Sequence, residues 1–138
     1  MSTDSATQGS ALYQVSDSLQ LISSIVDGTC AGAVHIDSLD GNLESPGATC
    51  GLGAGDLSNV ADPGLSQLAD FGGPTPTVLP LPGSPALGTG NICSIYPEDQ
   101  RGLPRDNPGC DSGAVERQSS DPSPVFLDGF ESGDASGW

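Results

Sequence analysis

The chain has 138 residues, of which 20 are glycine and 12 proline, with 4% aromatics and a formal net charge of −15. So acidic a surface repels phosphate backbones and anionic lipid headgroups, which excludes nucleic acid as an expected partner. No apolar run is long enough for a transmembrane helix, and the sparse apolar content implies a thin core that needs staples or a fold made largely of turns.

From Gly9 the pattern is strand-like. Ala11-Leu12-Tyr13-Gln14-Val15 is a short strand candidate, and Leu19 and Leu21 alternate with Ser18 and Gln20. Ser23-Ser24 then turns the chain into Ile25-Val26, and Asp27-Gly28 is a strong turn signal. Val34-His35-Ile36 and Asp40-Gly41-Asn42-Leu43 continue in the same style. Short strands between tight polar turns suit solenoid rungs, each burying its apolar residues on the next. Two hairpins of a small antiparallel sheet fit the same local pattern.

Residues 46–63 are loop-like. Asp62 to Ala69 predicts one or two helical turns, with Asp62 as N-cap, Pro63 in the first position, Leu65 and Leu68 facing inward, and Gly72-Gly73 as the stop. Pro74 to Pro85, with five prolines, reads as an extended surface arm or edge strand. Ile92 to Glu116 is a cysteine-bounded loop, 117–124 a Ser/Asp/Pro linker, and 125–138 a separate short tail.

The four cysteines, Cys30, Cys50, Cys93 and Cys110, form no Cys-x-x-Cys pair, and His35 is the sole histidine. Zinc is therefore not expected, whereas an even count in a lysine-free, Ser/Gly-rich chain fits disulfides in an oxidising compartment. Of three connectivities, the pairing of sequence neighbours is favoured, because each pair falls in one coherent segment. Loops of that length would contribute about 3 kcal/mol each. No signal peptide is visible after Met1, so an exported protein would carry its signal upstream, and the chain reads as a fragment of a longer parent.

The run Leu68-Ala69-Asp70-Phe71-Gly72-Gly73-Pro74-Thr75-Pro76-Thr77, followed by Leu81-Pro82-Gly83-Ser84-Pro85-Ala86, resembles the C-terminal cap of bacterial right-handed parallel β-helix surface proteins, the choice-of-anchor Q domain. Asp99-Gln100-Arg101-Gly102-Leu103-Pro104-Arg105 and Cys110-Asp111-Ser112-Gly113-Ala114-Val115-Glu116 are similar to that family's closing motif. Ser24-Ile25-Val26-Asp27-Gly28 and Gly41-Asn42-Leu43-Glu44-Ser45 look like its last rungs. The resemblance spans roughly residues 9–116, and departs from the family at Phe71 and Gly88, where Asn and an acidic residue are usual. It implies an all-β chain: terminal rungs of a right-handed parallel β-helix at 1–45, then an irregular, Pro/Gly-rich, disulfide-stapled cap at 46–116. The tail resembles a short motif on exported proteins of Gram-negative bacteria, through Phe126, Asp128, Gly129, Phe130, Glu131, Gly133 and Asp134, which suggests sorting or anchoring.

Functional expectations follow from both readings. A glycosidase needs two carboxylates across a cleft, but Asp37, Asp40 and Glu44 sit beside Gly41-Asn42 and read as turn residues. Asp99, Arg101, Arg105, Asp111 and Glu116 form the densest charged cluster, read as ion pairs that tie the cap together. His35 reads as a strand residue, and the tail acids as solvated. No phosphate loop or nucleophile elbow occurs. The expectation is a non-catalytic cap of an exported surface protein used for display or adhesion, without cofactor or metal. Its partners would be upstream β-helix rungs and cell-surface glycans or proteins. The alternatives are the end of a carbohydrate-active β-helix enzyme with its site upstream, and a small calcium- or glycan-binding module.

Overall fold

The computed structural model describes residues 11–14, 18–32 and 35–123. Six three-residue strands occupy the N-terminal third: β1 Leu12–Gln14, β2 Leu19–Leu21, β3 Ile25–Asp27, β4 Cys30–Gly32, β5 Ile36–Ser38 and β6 Leu43–Ser45. Every pair is parallel, β1 with β4, β2 with β5 and β3 with β6. Leu12 stands opposite Cys30, Leu19 opposite Ile36 and Ile25 opposite Leu43, so partners lie 18, 17 and 18 residues apart. The antiparallel-hairpin alternative is thereby excluded: a tight turn joins antiparallel neighbours, whereas parallel pairing requires a long return. Here the return consists of the two intervening strands.

The turns explain the register. Ser23 and Asp40 occupy the left-handed region at φ 45° and 68°, and the Ser23 amide donates to the Asp40 carbonyl at 3.2 Å. Corner is thus stacked on corner, as strand is on strand. Val26, Cys30 and Cys50 form the buried centre, with Leu12, Leu21, Ile36 and Leu52 packed around it. Leu12, Leu19 and Leu21 are only half-buried.

Three buried or half-buried polar side chains stitch the layers. Asn42, 1% exposed, accepts from the Ser24 amide through Oδ1 at 2.9 Å and donates from Nδ2 to the Leu21 carbonyl at 3.1 Å and to Asp56 Oδ1 at 3.0 Å. Glu44, fully buried, accepts from Thr49 Oγ1 at 2.7 Å and from the amides of Thr49 and Cys50. Glu44 was expected in a turn, yet it lies in β6. Its carboxylate folds the 46–50 loop onto the strands and so presents Cys50 to Cys30. Asp56 accepts from Ser38 Oγ and from the amides of Asn42 and Gly53. Burial pushes the Asp56 carboxyl up, but these bonds together outweigh it and hold it below its ordinary value. Leu57 adds one last parallel bridge, to Leu43.

Beyond residue 60 the pairing becomes antiparallel and irregular. Leu65 faces Pro80 and Ala69 faces Thr77, making a narrow ribbon of the 65–69 and 77–80 segments. The helical turns predicted over Asp62–Ala69 do not form, and no helix occurs among the described residues. Gly64 adopts φ 61°, which a right-handed helix cannot accommodate. Asp62 Oδ1 accepts from the Gly64 amide at 2.8 Å, closing a tight side-chain turn in place of a helix cap. Leu68 consequently faces outward, 61% exposed. Disulfides join Cys30 to Cys50 and Cys93 to Cys110, the sequence-neighbour pairing.

Candidate functional site

All three arginines of the chain, Arg101, Arg105 and Arg117, converge on the irregular region that follows the parallel strands. Arg101, its side chain 1% exposed, donates from Nε to Asp99 Oδ2 at 3.0 Å, from Nη1 to Asp121 Oδ1 at 2.8 Å and from Nη2 to the Glu116 carbonyl at 2.6 Å. Burial disfavours its charge, but the bonds and charges of Asp121 and Asp99 more than compensate and raise its pKa. Arg105 donates from Nη1 to Glu116 Oε2 at 3.4 Å and from Nη2 to the Gly113 carbonyl at 2.9 Å. Arg117 donates to the carbonyls of Pro80 and Pro122 at 2.9 and 3.0 Å.

The carboxylates are filled from within. Asp99 accepts from the amides of Arg101, Leu103 and Glu116 in addition to the guanidinium. Asp111 accepts from the amides of Gly88 and Arg117 at 2.9 and 2.8 Å. Glu116 accepts from the amides of Asp106 and Asp111 at 3.1 and 2.8 Å. Burial pushes the Glu116 carboxyl above its ordinary value, against the downward pull of those two amides and Arg105. Carboxylates whose lone pairs are directed at main-chain amides of their own loops serve to fix backbone. The structure therefore brings the five charged residues singled out from the sequence into one network, and adds Asp121 and Arg117. These two were read as linker, since nothing local shows that Asp121 returns to Arg101.

The remaining sequence candidates lie apart from this network. His35 precedes β5 and is exposed, with Nδ1 3.7 Å from Asp37 Oδ1. Asp40 sits in an exposed corner and Glu44 inside. The tail residues Phe126, Asp128, Gly129, Phe130, Glu131, Gly133 and Asp134 lie outside the described residues. Among the described residues no group of three or more His, Cys, Asp or Glu is arranged to hold a metal ion, and no helix is long and apolar enough to cross a membrane.

A groove of about 710 Å³ opens between the β2–β3 corner, the ribbon and the cysteine-bounded loop, with Ile22, Ile25, Leu65, Leu68, Val78 and Tyr96 among its lining. Thr77 and Arg105 also line it, and Thr77 Oγ1 and Arg105 Nε are buried atoms without a hydrogen-bond partner. Sequence reading missed the groove, because its walls come from four separate segments.

No protein-family model, curated protein or solved structure matches the chain.

Proposed function

We propose that this chain is the non-catalytic C-terminal cap of a longer, exported bacterial surface protein with a right-handed parallel β-helix, serving display or adhesion. Residues 11–45 are its last two coils and residues 46–123 close the end. The single observation that carries this reading is the change of pairing along the chain. Partners repeat in parallel at 18, 17 and 18 residues, Leu57 bridges Leu43, and every later bridge is antiparallel. A solenoid end needs such a terminator, since an open edge templates further pairing. The two disulfides are compatible with an extracellular location, and the likeness of residues 9–116 to choice-of-anchor Q caps points the same way.

At the opposite edge, β1, β2 and β3 each have one strand neighbour among the described residues, and Leu12, Leu19 and Leu21 are half-buried. This edge is where a preceding coil would stack. Hydrogen exchange tests the reading, comparing this chain with a version extended N-terminally by the parent's own upstream residues. The extension should slow exchange across β1–β3 at least tenfold and leave β6 and the cap nearly unchanged. Equal exchange in the two proteins, or upstream residues lacking a coil repeat of about this length, would sink the proposal.

A further inference from the structure

We propose that the groove between the β2–β3 corner and the ribbon is a docking site for an extended apolar peptide segment that carries one basic side chain. The proposal stands whether or not the chain caps a solenoid. Three observations converge on that occupant. Ile22, Ile25, Leu65, Leu68, Val78 and Ile92 supply an apolar part of the lining, and Leu68 and Tyr96 are 61% and 60% exposed, a cost that burial against an apolar partner removes. Val78, on the ribbon wall, engages neither its N–H nor its C=O in any hydrogen bond among the described residues. It thus offers one donor and one acceptor at the spacing with which an extended chain exchanges two bonds. Pro76 and Pro80 flank it, and Pro76 has no N–H to give, so pairing is confined to that residue.

Charge completes the match. A neutral peptide backbone brings no negative charge into a chain of net charge −15. The carboxylates and cations deeper in the groove are already matched, Asp99 by Arg101 and Arg105 by Glu116. Exposed Glu98, also on the lining, has no ion pair among the described residues. It is the site for the basic side chain.

Amide-resolved NMR titration of the full chain tests this with a blocked pentapeptide, lysine at its centre and valine and leucine on either side. Shifts should concentrate at Val78, Leu68, Tyr96 and Glu98, and a glutamate-centred peptide should bind at least about tenfold more weakly. Leu68→Asp should reduce affinity about tenfold without changing the melting temperature, since Leu68 is exposed. Glu98→Gln should abolish the preference for lysine. No shifts at millimolar peptide, equal affinity for the two peptides, or binding of a neutral trisaccharide at the same residues in place of the peptide would each overturn the proposal.

Discussion

Replacing Arg101 by Ala isolates what the charge network of residues 99–121 contributes. The side chain is 1% exposed and bonds Asp99, Asp121 and two main-chain carbonyls, of Phe71 and Glu116. The substitution leaves two carboxylates, with 0% and 8% side-chain exposure, facing each other without a cation. Removing one partner from a buried pair costs about 3–5 kcal/mol, most of it the penalty of the stranded charge. For a domain of this size that corresponds to a drop of roughly 10–20 °C in melting temperature. Circular dichroism melts at pH 7 with the disulfides intact would measure it. Arg101→Lys should recover only part of the loss, because an ammonium cannot reach Asp99, Asp121 and the Glu116 carbonyl in the guanidinium's planar fork. Adding Asp121→Ala to Arg101→Ala should cost less than the sum of the two single changes. An Arg101→Ala melting temperature within about 2 °C of the parent would refute the structural role assigned to this network.

Two further expectations come from other parts of the fold. Asp56 has a lowered pKa in the folded state, so its contribution to stability is complete above roughly pH 4 and is lost as pH falls through the folded value. Glu116, with a raised pKa, acts in the opposite sense, its folded form losing stability as pH rises toward that raised value. Asp56→Asn should therefore flatten the acid limb of the stability profile and cost about 1–3 kcal/mol at pH 7, and an acid limb as steep as the parent's in urea titrations would contradict this. Gly90→Ala places a Cβ 2.6 Å from the Asp111 carbonyl oxygen and 2.9 Å from its carbon, and backbone there cannot yield. It should cost about 1–3 kcal/mol in denaturant midpoints, whereas Gly51→Ala, with nothing within 4 Å but φ 64°, tests the backbone strain alone.

How much was legible in the residues differs along the chain. The alternation around Leu19 and Leu21 and the Asp27-Gly28 turn mark strands and corners, but antiparallel hairpins and parallel pairs share them. Only the partner of each strand decides between the two, and that partner lies 17 or 18 residues away. The cysteine pairing was accessible because each cysteine bonds its sequence neighbour, 20 and 17 positions away. The helix expected at 62–69 failed because capping chemistry and tight side-chain turns use the same residues. Asp62 with Pro63 satisfies either, and the φ of Gly64 settles it. In the charge cluster, the residue types were plain and the partners were not. Asp121 closes on Arg101 across 20 positions, and Glu44 and Asn42 look like turn residues until their buried bonds are counted.

Because the arginines are engaged in the charge network and by main-chain carbonyls and there is no lysine, the outer surface carries no exposed lysine or arginine among the described residues. Two copies of the chain therefore repel one another through their net charge of −15. That guard depends on ionic strength. It acts at low salt and is screened at about 1 M salt, where the screening length falls to about 3 Å. The expected salt dependence thus originates in where the Arg101 and Arg105 guanidinium groups are buried and in the main-chain carbonyls that hold Arg117.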